Sequence, residues 1–161
     1  MSDTLLREQL SNFLSTAQAH MTLEEAVKDF PMSHINDIFP NGTYTFWHLL
    51  EHIRRTQYDI LDFIINSKYK EPHWPKDYWP SEKEKATEKD WEKTISLFEK
   101  DLKALKKIVN DPKTDLEAKV PWGYGQILMR EIIIVIDHNA YHIGEFSIMR
   151  QVLNLWKKSL K

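Results

Sequence analysis

Residues 122–153 read WGYGQILMREIIIVIDHNAYHIGEFSIMRQVL, and how the middle of this stretch is read decides the fold. The β-branched run at 132–136 has the composition of a buried strand. The segments on both sides of it carry helical periodicity, so one helix is expected over about 126–155. Upstream, a connection through Pro121 and Gly125 follows a helix that starts at Ser81 or Thr87 and runs to Val109. Trp91, Ile95, Phe98, Leu102 and Leu105 face inward there, and Asn110, Asp111 and Pro112 end it. A further helix is expected from Thr43 or Thr45 to about Asn66, because Phe46, Leu49, Leu50, Ile53, Ile60, Leu61 and Ile64 fall on one broad stripe. The first helix is placed over about 3–20, with Leu6, Leu10, Phe13, Leu14 and Ala17 at helical spacing. Thr22 and Glu25 make a capping-box pattern that starts a short turn toward Phe30. Between these segments, 31–44 holds two prolines and an Asn-Gly turn signal. The segment 71–80, EPHWPKDYWP, holds three prolines and is not regular helix throughout; it is expected to cap one end of the bundle, as plain packing or as a lid over a pocket. The lysine-rich end, WKKSLK, reads as a solvated helix terminus. Four long helices without a convincing strand predict an all-α, four-helix bundle, as one domain over 1–161.

Composition narrows the function classes. The 161 residues are 42% hydrophobic and 29% charged, with a formal net charge of −2 and both signs interleaved, which is ordinary for a globular protein. That balance gives no electrostatic reason to expect nucleic acid or an anionic membrane as partner. No secretory signal is read at the N-terminus, and the most apolar run is too short to span a bilayer, so a cytoplasmic protein is expected. The absence of cysteine excludes disulfides, thiolate ligands and a protein thiol nucleophile.

The chemistry is concentrated in histidines. On the last helix, His138 and His142 are one turn apart and roughly 40° apart in azimuth, so both imidazoles can reach one ion. Glu131, Val135, Glu145 and Met149 share that side. The helix after Thr45 offers two further candidates. On ideal geometry His52 lies roughly 110° from the centre of the apolar stripe and His48 roughly 150°. His52 is therefore expected at the edge of the buried face, and His48 is expected to be exposed beside Glu51, Arg55 and Asp62.

The same stretch, His48-Leu-Leu-Glu-His52, matches the H-x-x-E-H pattern of one class of zinc peptidases, which would use both histidines as ligands and Glu51 as general base. Glu51 projects away from His52 on the wheel, which disfavours this reading. A ferritin-like di-iron site is disfavoured because no Glu-x-x-His occurs in the chain.

TFWHLLEHIRRTQYDILDF at 45–63 and the stretch at 122–153, with the Tyr-Trp-Pro loop between them, resemble the DinB-like superfamily over about residues 5–156. The resemblance implies a four-helix bundle, commonly homodimeric, with three histidines around one divalent metal, often nickel or zinc. By position these fall on His52, His138 and His142. Where relatives often have His-x-Gly-Gln, this chain has His142, Gly144 and Glu145, replacing a neutral amide by a carboxylate. Glu145 is then a ligand, a general base, an acceptor behind a ligand, or a solvated helix residue. Asp59 and Glu131 either orient an imidazole or pair with an arginine such as Arg55 or Arg130.

Three neutral imidazoles leave positions open on zinc, nickel or iron(II), and on zinc a bound water can reach a pKa of about 7. The expected function is a metal-dependent hydrolase with Glu145 as candidate for proton transfer. The resemblance adds a transferase that borrows its thiol from a low-molecular-weight cofactor. Either acts on a small-molecule substrate. The non-enzyme alternative is a metal-stabilised binding or dimerisation protein.

Overall fold

Three threonines set helix starts. In the computed structural model, which describes residues 3–157, Thr22, Thr45 and Thr87 each accept a hydrogen bond from the backbone N–H three residues on, and the side chain there returns the bond to the threonine N–H. Each box satisfies two donors that a helix N-terminus otherwise leaves orphaned. The resulting elements are α1 (Thr4–Ser15), α2 (Leu23–Val27), α3 (Phe46–Ile65), α4 (Glu88–Asn110) and α5 (Leu128–Val152), with a single 3₁₀ turn at Met32–His34. The β-branched run at 132–136 is helical, inside α5. No strand forms among the described residues beyond two isolated bridges, Ile38 with Thr45 and Lys119 with Ile127. The fold is all-α.

α3 packs against α4 and α5, and α1 packs against the same two helices from the other side. The core divides into two apolar clusters. One gathers Phe30, Phe46, Trp91 and Phe146 with Leu49, Leu50 and Ile53, and the other gathers Leu10, Leu14, Ile60, Leu61, Leu105, Ile132 and Val135. Between them in sequence, Gln57 on α3 and Asn139 on α5 are buried and joined by a hydrogen bond of 2.9 Å. No helix among the described residues is long and apolar enough to cross a membrane.

Two expectations need correction. α1 stops at Ser15 rather than near residue 20, since Thr16 turns extended and its hydroxyl bonds back to the Asn12 carbonyl. Ala17 is therefore outside the helix, and Leu6 and Phe13 are exposed, while Arg7 takes a buried place on the inner face. The Arg7 guanidinium donates to the carbonyls of Val109, Asp111 and Thr114, so it closes the C-terminus of α4, where a cation is favoured. The last helix ends at Val152, and the loop beyond it returns Trp156 to within 4.0 Å of the Arg150 guanidinium. Residues 158–161 of the lysine-rich end lie outside the described residues.

Candidate metal centre

α3 and α5 run side by side, and this brings His52, His138 and His142 together. One ring nitrogen from each lies within 4.8 Å of the others, and the His52 and His138 Nε2 atoms are 3.2 Å apart. Two nitrogens bound at about 2.05 Å to a tetrahedral ion lie about 3.3 Å apart, so this spacing fits a shared ion. The outer nitrogens fix the tautomers of two rings. His52 Nδ1 donates to the Tyr78 carbonyl at 3.1 Å, and His142 Nδ1 donates to Glu145 Oε2 at 2.7 Å. With Nδ1 the donor in each ring, Nε2 is the atom that can offer a lone pair to the centre of the cluster. His138 has weaker support: its Nδ1 is buried without a well-formed hydrogen bond, and the Asn139 side chain beside it favours the proton only slightly.

Burial pushes the His52 imidazole down to about 4, with the Tyr78 carbonyl opposing the shift and His142 adding to it. His138 falls to about 3, again first through burial and then through its two neighbouring imidazoles. Both rings are neutral near pH 7, the form that binds metal. Unfolded histidines take up protons near pH 6.5, before these folded ones do. The stability of metal-free protein is thus full above about pH 6.5 and declines as the pH falls toward 4. At pH 5 the loss from His52 alone is about 2 kcal/mol, which lowers the melting temperature by about 4–8 °C relative to pH 7. Calorimetry of chelator-treated protein checks this, and His52→Asn should flatten the dependence.

A second layer surrounds the cluster. The Tyr44 hydroxyl donates to Glu145 Oε1, so that carboxylate accepts from Tyr44 and His142 at once. Burial and then Glu145 raise the Tyr44 phenol well above its ordinary value, which keeps it a donor. The Tyr44 ring also packs 5.1 Å from Trp79, and Trp79 stacks on His52 at 3.9 Å with 7° between planes. Tyr44 therefore touches the supports of two histidines. The segment at 71–80 covers this side of the cluster through Trp79 and the Tyr78 carbonyl.

The structure corrects the place of His48 and Glu51. His48 is buried rather than exposed: its Nδ1 accepts from the Thr45 N–H at 3.4 Å as the third residue of the capping box, and its Nε2 donates to the Glu84 carbonyl at 2.9 Å. Neither nitrogen has a lone pair left for an ion. Glu51 is also buried, held by Arg54, Arg55 and the Thr94 hydroxyl. Burial alone would raise its pKa, but these donors, Arg54 foremost, hold it below the usual carboxylate range. The H-x-x-E-H match is a structural anchor of α3. Glu131 pairs with Arg130 at 2.5 Å, whereas Asp59 accepts from the hydroxyls of Tyr69 and Tyr78 and orients no imidazole directly. Trp79 lies in the segment expected to cap the bundle, whereas Tyr44 carries no periodic signal and is marked in the sequence only as an aromatic just before the Thr45 cap.

A helical bundle with three inward imidazoles from two facing helices defines a class of candidate metal-binding proteins. A family profile described as the DinB superfamily matches residues 15–146, and the chain belongs to that superfamily. No curated protein and no solved structure matches the chain.

Proposed function

We propose that this DinB-superfamily protein binds one divalent ion, nickel or zinc, through His52, His138 and His142, and acts there on a small-molecule substrate. The observation that carries the reading is the convergence of three ring nitrogens within 4.8 Å, two of them with tautomers set from behind. When bound, an ion on three imidazoles supplies Lewis acidity at a position left open to a further ligand. Two reaction classes suit such a position: hydrolysis, and transfer to a low-molecular-weight thiol, which this cysteine-free chain would take from solution. Tyr78 and Trp79 hold His52 in place, and Glu145 holds His142. Glu145 also remains the carboxylate nearest the chemistry for holding a proton at Oε1 or Oε2.

Homodimerisation is part of the reading. Ile133, Tyr141, Ile148 and Val152 are exposed on one side of α5, a face that a second copy of the chain would cover.

Elemental analysis of untagged protein tests the site. Wild type and His48→Ala should carry about one nickel or zinc per chain, and His52→Ala should carry close to none. Wild type that stays metal-free after reconstitution would end the proposal. Sedimentation of the same samples reads the oligomeric state, and esters and thiols are the first substrates to screen.

A further inference from the structure

Asp59 reaches the histidine cluster through one intervening residue. His52, Arg55 and Asp59 are three and four residues apart on α3, so they form one stripe along its surface. The chain leaves α3 after Ile65, and residues 77–79 return along that stripe, held at each point. Arg55 Nη1 donates to the Trp79 carbonyl at 2.9 Å and reaches the Asp77 carbonyl at 3.4 Å. Between these two, the Tyr78 carbonyl accepts from His52 Nδ1 at 3.1 Å, and the Tyr78 hydroxyl donates to Asp59 Oδ2 at 2.7 Å. Tyr78 is thus bound to α3 at both ends, by an imidazole at its backbone and by a carboxylate at its ring.

Of these two bonds the outer one is the firmer. Burial and then Asp59 hold the Tyr78 phenol well above its ordinary value, so the hydroxyl is the donor. Burial raises the Asp59 carboxyl, and the Tyr78 hydroxyl is the first of the groups that oppose the rise. A hydroxyl bonded to an ionised carboxylate is held about twice as strongly as a neutral pair, whereas the His52 bond joins a neutral ring to a peptide carbonyl. The grip on the ring therefore sets how Tyr78 is turned, and with it the aim of its carbonyl. Trp79, the next residue, stacks on His52 at 3.9 Å, so a shift of this backbone disturbs both contacts at once. The other Asp59 oxygen, Oδ1, accepts from the Tyr69 hydroxyl at 2.8 Å. Tyr69 packs 5.1 Å from the Phe63 ring, on the side of Asp59 farther along α3 from His52.

We infer that Asp59 is a positioning residue for the metal centre: by gripping the Tyr78 hydroxyl it aims the Tyr78 carbonyl at His52, and so sets how tightly the three histidines hold an ion. The inference rests on the metal-binding reading above. The Tyr69 bond to the same carboxylate is equal in kind but leads away from the cluster, which separates positioning from general support of the fold.

Competition against a chelator of known strength, with cobalt(II) as the probe, tests this. Tyr78→Phe keeps the ring and the carbonyl but loses the hydroxyl, and it should bind cobalt about tenfold more weakly than wild type, with altered visible bands. Tyr69→Phe should keep the affinity and the spectrum of wild type, although both variants should lose a similar amount of thermal stability. Asp59→Leu should weaken binding as Tyr78→Phe does, and combining the two should add little, since both break one bond. Wild-type affinity in Tyr78→Phe, an equal loss in Tyr69→Phe, or losses that add in the double variant would each overturn the inference while leaving the metal site in place. Wild type that takes up no cobalt would overturn both the inference and the metal-binding reading beneath it.

Discussion

Glu51→Ala is expected to lower the unfolding free energy by about 3–5 kcal/mol while leaving the metal content at the wild-type level. Glu51 is buried on α3 and accepts from Arg54, Arg55 and Thr94, and Arg54 is itself largely buried. Removing the carboxylate strands the Arg54 guanidinium in a poorly solvated place, and such uncompensated charge is among the costlier results of a single substitution. For a chain of this length the melting temperature should fall by roughly 10 °C. The histidine cluster is built from other atoms, so metal analysis should not register the change in protein that remains folded. Glu51→Gln provides the complementary arm: it keeps the shape and the Thr94 bond, so its melting temperature should fall less. If instead it lost its metal, or lost a proteolytic activity that wild type displayed, the peptidase reading of the H-x-x-E-H stretch would return.

Removing either support behind His142 should weaken metal binding by about 10- to 100-fold, as is typical for groups that orient a metal-bound imidazole. Glu145→Gln replaces an acceptor that fixes the His142 tautomer with an amide that can turn either end toward it. Tyr44→Phe keeps the ring against Trp79 and deletes only the hydroxyl that bonds Glu145, whereas Tyr44→Leu removes both contacts. The expected order of affinity is wild type, then Tyr44→Phe, then Tyr44→Leu, read by competition with a chelator of known strength. Cobalt substitution adds a second measure, since a loosened ligand set alters the visible spectrum without reference to any activity. Equal affinities across the series would mean that Tyr44 and Glu145 hold the fold and not the site.

Much of the architecture is legible in the residues because helix signals are local. The capping-box pattern at Thr22 marks α2 directly, and of the two starts expected for each of α3 and α4 the later threonine, Thr45 and Thr87, is the cap. That His138 and His142 share one side follows from their spacing on one helix. What is not legible depends on which distant segment covers a given flank. His48 looks exposed on a wheel, but residues 80–94 wrap that side of α3 and supply the Glu84 carbonyl and the Thr94 hydroxyl. Asp59 could not be assigned for the same reason, since its partners Tyr69 and Tyr78 come from the connection after α3. The early stop of α1 is equally hidden: helical spacing continues to Ala17, yet the chain turns at Thr16.

The reach between the helices that carry the cluster has a mechanical meaning. His52 and His138 are 86 residues apart in the chain, so an ion gripped by both would join α3 to α5 across more than half its length. In loop-closure terms, tying points that far apart restricts the unfolded chain by about 4–5 kcal/mol. A protein without a single cysteine would thus own a reversible crosslink, fastened or released by the supply of one ion.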